Sequence, residues 1–177
     1  AHTGTGKTAA FLLPIFQRLM QNPSRKVRAL ILAPTRELAE QIHQASVDLG
    51  RHTGVKSVAI YGGVSKSPQL TSLRRGPEIM VACPGRLLDH LNDRNINLAH
   101  VEVLVLDEAD TMCDMGFLPD VKRVIQKLPS QRQTLFFSAT MPPEIRQLSQ
   151  SILTTPITVQ IEANAPAHTV SHALYPV

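Results

Sequence analysis

The feature that most constrains the fold is a repeated alternation of short apolar runs with longer amphipathic segments. Short apolar runs bounded by turn residues are typical of strands that are buried on both faces of a sheet. When strands alternate with helices, each helix returns the chain across the sheet, so the strands run parallel. We therefore predict an α/β fold with a doubly wound, mostly parallel sheet flanked by helices. The predicted strands lie within residues 28–34, 56–63, 78–85, 102–110 and 133–140, with a weaker candidate around Val159.

Amphipathic patterns predict the helices between these runs. One pattern has apolar residues at spacings of four, three and four, which places them on one helical face, and Thr35 can cap its first turn. Its members are Leu38, Ile42, Ala45 and Leu49. Further helices are predicted directly after the first eight residues, from Leu118 to Leu128, and from Pro142 onward.

The composition limits the class of protein. With 177 residues, 43% of them hydrophobic and 18% charged, the chain can bury the core of one folded domain. Its net charge of +4 permits contact with phosphates without demanding it. Cys83 and Cys113 have no CxxC partner, and no apolar stretch reaches the roughly 20 residues that cross a bilayer. We therefore expect a reduced, cytoplasmic protein with no membrane partner.

Each apolar run is followed by a small cluster of polar, glycine or proline residues. In chain order these clusters are PTRE, YGG, CPGR, DEAD and SAT. Parallel strands bring their carboxyl ends to one edge of the sheet, and open α/β sheets bind ligands outside that edge. We therefore expect the functional surface to lie there.

The first residues form a candidate phosphate-binding loop, HTGTGKT. Gly4 and Gly6 allow backbone amides to close around phosphate oxygens, Lys7 adds a point charge, and Thr8 offers a hydroxyl to Mg²⁺ at a helix start. Ala1 stands where the P-loop pattern has its first glycine. The alternative is an ordinary glycine-rich turn that begins a helix.

The cluster DEAD supplies the acidic groups that such a loop requires. Asp107 ends a predicted buried strand as a carboxylate on the metal side, and Glu108 follows it as a group that can polarise an attacking water. The alternative is an acidic, solvated turn. Together with the loop, the two carboxylates indicate a nucleotide hydrolase site with Mg²⁺ shared by Thr8 and Asp107.

The remaining clusters indicate a track for a phosphate backbone. Arg36 and Arg86 each stand where a strand ends and a helix begins, and Gly62 and Gly63 allow a ligand to approach the main chain closely. Each feature alone is common in turns. Because aromatic residues make up only 4% of the chain, we expect no stacking platform for bases at these clusters, and recognition that is largely independent of sequence.

With HTGTGKT, PTRELA, YGG, PGR, DEAD and SAT in this order, the chain closely resembles the first RecA-like domain of a bacterial-type DEAD-box ATP-dependent RNA helicase. The resemblance implies a RecA-like P-loop NTPase fold, ATP and Mg²⁺ as cofactors, and RNA as the partner. It places a helicase ATP-binding domain at residues 1–161. Residues 162–177 are then a linker and the start of a second RecA-like domain, which is the other expected partner.

The resemblance also implies a role for each matching residue. Catalysis falls to Glu108 as base, with Asp107 and Lys7. The ATP phosphates are held by Thr3, Gly4, Thr5, Gly6, Lys7 and Thr8, and Mg²⁺ by Thr8 and Asp107, partly through water. Coupling between ATP and RNA falls to Asp110, Ser138 and Thr140. The RNA backbone is lined by Pro34, Thr35, Arg36, Gly62, Gly63, Pro84, Gly85 and Arg86. Cys83 departs from the family's usual threonine, which weakens any cap or phosphate contact there.

We also expect the chain to be a fragment, because it begins inside the phosphate loop. The strand that holds such a loop, and the Q motif that the family uses to read adenine, do not precede Ala1. At the other end, SHALYPV resembles the first strand of a second RecA-like domain. The expectation is a chain that does not unwind RNA by itself and binds ATP weakly.

Three other functions stay compatible with the residues. One is a non-enzymatic module that binds RNA or a partner protein, and a second is another superfamily 2 nucleic-acid ATPase. A small-molecule kinase is the third, although the chain has no lid segment. The oligomeric state is left open, since an unpaired strand edge would allow a dimer.

Overall fold

The computed structural model describes residues 6–160, which form a parallel sheet with helices on both faces. Its strands are β1 (Ala29–Leu32), β2 (Ser57–Ile60), β3 (Ile79–Ala82), β4 (Val103–Leu106) and β5 (Gln133–Phe136). Its helices are α1 (Lys7–Gln21), α2 (Arg36–Gly50), α3 (Lys66–Leu73), α4 (Pro84–Asn92), α5 (Ala109–Asp114), α6 (Leu118–Ile125) and α7 (Pro143–Ile152). None of these helices is long and apolar enough to span a membrane.

The strand order is β2-β3-β1-β4-β5, and every pair of neighbours is parallel. Each of the five predicted apolar runs forms a strand, so the prediction of a doubly wound parallel sheet is confirmed. Alternate residues of the central strand point to opposite faces. Leu30 belongs to one buried apolar cluster and Ile31 to the other, so each face of the sheet has its own core.

Burial differs between the central and the outer strands. All four residues of β1, β3 and β4 are buried, whereas β2 alternates and β5 is partly exposed along its length. The prediction that all five runs are buried on both faces is therefore wrong for β2 and β5. Each of these two pairs with one neighbouring strand within the described part of the chain, so fewer atoms shield it from solvent.

The helix starts were predicted better than the helix faces. Thr35 accepts a hydrogen bond from the Leu38 amide, which confirms the predicted cap of α2. Leu49, however, is 40% exposed, and the buried positions of α2 are Ala39, Ile42, Ser46 and Gly50. Which positions of α2 are buried depends on the elements that pack against it, and residue spacing alone does not determine this.

The ends of the other predicted elements also differ in detail. Helix α6 ends at Ile125, so Leu128 lies beyond it. Helix α7 starts at Pro143, within the predicted Pro142–Pro143 start, and proline is well suited to a first helical turn. No strand is present in residues 153–160, and Val159 is exposed. The rest of the weaker strand candidate lies outside the described residues.

The buried residue Arg28 links the C-terminal end of α1 to the residues that precede β3 and β4. Arg28 Nε lies 2.7 Å from Glu102 Oε1, and Arg28 Nη1 lies 3.3 Å from Glu78 Oε2. Arg28 Nη1 also donates to the Asn22 carbonyl at 2.6 Å. Because these contacts fix the C-terminal end of α1, they also fix its N-terminal end at the opposite edge of the sheet.

Candidate nucleotide and nucleic-acid site

The five predicted clusters begin at one edge of the sheet, because the strands end in register. Leu32 of β1 pairs with Ala82 of β3 and with Leu106 of β4. Ala82 in turn pairs with Ile60, and Leu106 with Phe136. The residues that follow these five strand ends therefore leave the sheet side by side, which forms what we call the carboxyl edge.

The phosphate loop leads directly into α1. Gly6 is the N-cap residue with a φ of 76°, a left-handed conformation that glycine adopts without strain, and Lys7 and Thr8 are the first two helical residues. The predicted loop residues Thr3, Gly4 and Thr5 lie outside the described residues. The amides of a first helical turn lack intrahelical acceptors and point along a favourable dipole, so this helix start attracts anions.

Lys7 forms an ion pair with the first residue of the DEAD cluster. Lys7 Nζ lies 2.5 Å from Asp107 Oδ1, and the two side chains are 10% and 0% exposed. Apart from this contact with Lys7, the Asp107 carboxylate has no hydrogen-bond partner among residues 6–160. A charged acid without hydrogen bonds is costly to bury, so Lys7 is its compensating partner here.

An aromatic ring borders this ion pair. The Phe137 ring centroid lies 5.8 Å from Lys7 Nζ, and Phe137 packs against Phe11 of α1 with ring centroids 5.7 Å apart. Cation–π attraction favours the ammonium at such a position. Phe137 therefore helps to hold the Lys7 side chain in its position beside Asp107.

Glu108 has a strained main chain. Its φ of 52° and ψ of 55° place it in the left-handed region, which residues other than glycine seldom adopt. Hydrogen bonds fix both of its neighbours, from the Asp107 amide to Leu32 O and from the Ala109 amide to Phe137 O, each at 3.0 Å. Strain of this kind persists when the surroundings impose it, and it concentrates at functional sites.

Asp110 joins the DEAD cluster to the SAT cluster. Its Oδ2 accepts hydrogen bonds from the Ala139 amide at 3.1 Å, the Thr140 amide at 2.8 Å and the Thr140 hydroxyl at 3.0 Å. The Ser138 hydroxyl donates to the Thr140 carbonyl at 2.7 Å. Burial opposes ionisation of Asp110, but the hydrogen bonds from Thr140, Ser138 and Thr111 together outweigh it and hold the pKa of this carboxyl below its ordinary value.

Replacing Asp110 with asparagine is expected to lower the free energy of unfolding at pH 7 by roughly 1–3 kcal/mol. The reason is that the Ala139 and Thr140 amides would then donate their hydrogen bonds to a neutral group instead of a carboxylate. The folded pKa of Asp110 is depressed, so its contribution is present above the unfolded pKa and is lost as the pH falls through the folded pKa. Urea unfolding at pH 7 and at pH 3 should therefore show a smaller difference between the two proteins in acid. Asp114→Asn, an exposed change on the same helix, is the control, and an equal effect of D110N at both pH values would contradict the assignment.

Arg36 and the two glycines lie at the open part of the carboxyl edge. Arg36 is the exposed first residue of α2, and its guanidinium carbon lies 5.0 Å from the centroid of the Tyr61 ring. Gly62 and Gly63 are exposed, and a Cβ added to either would meet no atom within 4 Å. Gly63 has a φ of 76°, which glycine tolerates best. The main chain of this loop is therefore accessible to a ligand.

Arg86 is engaged with the glycine loop. Its Nη1 donates to the Val64 carbonyl at 2.9 Å, its Nε lies 3.6 Å from Asp89 Oδ2, and its side chain is 12% exposed. Gly85, beside it in the first turn of α4, is half-buried. The guanidinium thus holds the loop that contains Gly62 and Gly63, in addition to any contact with a ligand.

The two prolines and the cysteine of these clusters have structural positions. Pro34 is buried after β1, and Pro84 is buried as the first residue of α4. Cys83 is the N-cap residue of α4 and makes no side-chain cap hydrogen bond, as its thiol suggests. Burial, followed by the nearby charge of Glu37, raises the pKa of Cys83 to about 11, so it stays a neutral thiol.

Two aromatic residues of the site were not predicted. Tyr61 lies against Arg36 and Phe137 against Lys7. Aromatic rings therefore do border these clusters, but both contact cations of the chain, and the absence of a stacking platform for bases stays a prediction. The available signal was position, since Tyr61 directly precedes Gly62 and Phe137 directly precedes the SAT cluster.

A model of the DEAD/DEAH box helicase family matches residues 1–148. The chain is 48% identical over 163 residues to the ATP-dependent RNA helicase CshA of Listeria monocytogenes, covering 92% of this chain and 31% of that protein. It is 49% identical over 161 residues to the DEAD-box ATP-dependent RNA helicase RhpA of Helicobacter pylori, covering 91% of this chain and 32% of that one. The chain thus spans about a third of the length of these relatives.

Solved structures show the same fold. The yeast DEAD-box splicing factor Prp28 matches with a TM-score of 0.82 and 38% identity, over 87% of this chain and 38% of that one. A hypothetical ATP-dependent RNA helicase from Sulfolobus tokodaii matches with a TM-score of 0.80 and 38% identity, over 88% of this chain and 44% of that one. The RecA-like fold implied by the sequence motifs is confirmed.

Proposed function

Because this chain belongs to the DEAD/DEAH box helicase family, we propose that it is the ATP-binding domain of an ATP-dependent RNA helicase. The observation that carries the proposal is the contact of Lys7 with Asp107, which joins the phosphate loop to the DEAD cluster at the carboxyl edge. In this proposal residues 1–161 form the domain. Residues 162–177 connect it to a second RecA-like domain, which closes over the same edge.

Lys7 and Thr8 are proposed to bind the nucleotide phosphates together with the loop residues Thr3, Gly4, Thr5 and Gly6. Without nucleotide, the Lys7 ammonium pairs with the Asp107 carboxylate. When a nucleotide binds, its phosphate oxygens offer Lys7 a second group of anionic partners. Amides of the first turn of α1 add donors at the same place. We expect Lys7 to move from the carboxylate toward the phosphates when nucleotide binds.

Asp107 fits a role in holding Mg²⁺. Its carboxylate is fully buried and has no hydrogen-bond partner among the described residues other than Lys7, so once Lys7 turns to the phosphates its oxygens are available to a hard cation or to that cation's water. Thr8 would add a hydroxyl oxygen. Bound Mg²⁺ would supply positive charge to the phosphate oxygens. One carboxylate suffices, because Mg²⁺ commonly takes its other ligands from water and phosphates.

Glu108 is proposed as the general base for the attacking water. Its side chain is half-buried, and its one hydrogen bond within residues 6–160 is a long one, from the Thr111 hydroxyl at 3.4 Å. Its carboxylate is therefore free to accept a proton. Asp110, Ser138 and Thr140 are proposed to couple the two ligands, because their hydrogen bonds connect the end of β4 to the segment that leaves β5.

RNA is proposed to lie along the clusters that follow β1, β2 and β3. Arg36 would contact phosphates directly, while Gly62 and Gly63 offer an accessible main chain. Thr35 and Gly85 stand at the two helix starts, with Pro34 and Pro84 buried beneath them. Such contacts address the backbone, so binding should depend little on base sequence.

The test compares two arginines at opposite ends of α2. Arg36 stands at its start on the carboxyl edge, and Arg51 is the C-cap residue at its other end. In fluorescence anisotropy with a labelled single-stranded uridine 15-mer at low salt, Arg36→Ala should weaken binding roughly tenfold through loss of a charge-assisted contact. Arg51→Ala, which removes the same charge, should change affinity less than about twofold. Equal losses would indicate non-specific attraction and would contradict the proposed track.

A further inference from the structure

We infer that Tyr61 and Glu40 are positioning residues, which hold the guanidinium of Arg36 in place for a phosphate of the RNA backbone. The inference deepens the proposed function and rests on it. Neither residue was among the predicted site residues.

Two helices hold Tyr61, α2 through its side chain and α3 through its main chain. The guanidinium carbon of Arg36, from the start of α2, lies 5.0 Å from the centre of the Tyr61 ring. The Tyr61 hydroxyl donates a hydrogen bond to Glu40 Oε1, one turn further along the same helix. The Tyr61 carbonyl accepts a hydrogen bond from Gln69 Nε2 of α3 at 2.9 Å. Hydrogen bonds at its main-chain carbonyl and at its hydroxyl therefore hold Tyr61 in place.

This arrangement leaves the guanidinium available to a ligand. Arg36 and Glu40 are four residues apart on one helix, a spacing at which opposite charges commonly pair. Here Glu40 instead accepts from Tyr61, and among residues 6–160 no carboxylate lies within 4.0 Å of the Arg36 side-chain nitrogens. Tyr61 therefore diverts the acid that would otherwise pair with Arg36.

The phenol is suited to this task because it remains a neutral donor. The hydrogen bond to Glu40, with burial as a smaller cause, raises the pKa of Tyr61 above its ordinary value and outweighs the opposing effect of Arg36. An aromatic face attracts a guanidinium while leaving its edge, with the N–H donors, free for a phosphate. Restricting a long side chain in advance also lowers the entropy lost when the ligand binds.

The contrast with Arg86 supports a distinct role for Arg36. Arg86 is mostly buried and donates to the Val64 carbonyl, so it shapes the glycine loop from beneath. Arg36 is exposed at the surface of the same edge. The chain thus places one arginine under the loop and presents the other on an aromatic support.

A double-mutant cycle on binding of the same uridine 15-mer tests the inference in the 177-residue chain. Tyr61→Leu should weaken binding about three- to tenfold, and Tyr61→Phe, which keeps the ring but frees Glu40 to pair with Arg36, should cause a measurable but clearly smaller loss. In the presence of Arg36→Ala, the further change Tyr61→Leu should have almost no effect, because the group that Tyr61 positions is gone. Thermal unfolding of each variant checks that the fold is retained.

The outcomes separate the two levels of the proposal. If the losses of binding free energy from the two single changes add fully in the double variant, Tyr61 acts independently of Arg36, for instance by stacking on a base. That result would overturn this inference but leave the proposed function intact. If Arg36→Ala binds RNA like the original chain, the RNA track itself is wrong and the inference falls with it. A loss in Tyr61→Phe as large as in Tyr61→Leu would assign the effect to the hydroxyl and also contradict support by the ring.

Discussion

Replacing Lys7 with alanine is expected to lower the free energy of unfolding by about 3–5 kcal/mol and to remove nucleotide binding. The stability loss arises because Asp107, which is 0% exposed, loses its ion-pair partner. The binding loss arises because the same ammonium is the cation nearest to the proposed phosphate site. Urea unfolding and calorimetric titration with MgATP measure the two effects.

A surface ion pair and a second variant provide the controls. Lys66 pairs with Asp93 at 2.8 Å, with side chains 37% and 49% exposed, so Lys66→Ala should cost only a small part of the Lys7 effect. Adding Asp107→Asn to Lys7→Ala should recover much of the stability, because the buried charge is then removed, but should not restore nucleotide binding. If Lys7→Ala is as stable as Lys66→Ala, the buried pair does not have the importance assigned to it.

In a chain that joins this domain to a second RecA-like domain, replacing Glu108 with glutamine is expected to slow ATP hydrolysis by about 10²–10⁴-fold, since the amide has nearly the same shape but cannot accept a proton. Phosphate release at saturating RNA measures the rate. The affinity for MgATP should stay within about threefold, because Glu108 is not among the groups proposed to hold the phosphates. Glu144→Gln, an exposed change in the first turn of α7, is the matched control.

The result for Glu108 also decides between an enzyme and a binding module. A module that only binds RNA or a partner protein would have the same RNA affinity and the same background phosphate release with either residue at position 108. A rate in Glu108→Gln equal to that of Glu144→Gln would contradict the proposed catalytic role. A rate loss accompanied by an equal loss of affinity would instead assign Glu108 to binding.

Much of the fold could be predicted because its signals are local. The apolar runs define the strands, and their alternation with helices defines a parallel sheet. The spacing of apolar residues could not predict the solvent exposure of individual positions. Leu49 matches the apolar pattern of α2 and yet is 40% exposed, and β5 was predicted to be buried on both faces but lies at the end of the described strand order. Both depend on which neighbours cover a residue.

The site was predictable to the extent that the sheet determines it. Parallel strands in register necessarily bring DEAD beside PTRE and SAT, and the contacts of Asp110 with Thr140 follow from that adjacency. The positions of Tyr61 and Arg86 depend on how side chains turn between neighbouring elements. An arginine in a turn is equally consistent with contact to a ligand or to a carbonyl, and only the structure shows that Arg86 binds Val64 O.

The most direct test of the central claim is to map MgATP binding by the amide chemical shifts of the ¹⁵N-labelled chain, which detects even weak binding at a defined place. We expect shifts at residues 6–8, at 107–110 and at 138–140, which lie together at the carboxyl edge. We expect no comparable shifts at the hollow lined by Arg25, Lys56 and Arg75 near the amino ends of β2 and β3. Shifts confined to that basic hollow, or scattered over exposed arginines and lysines, would contradict a nucleotide site built from Lys7 and Asp107.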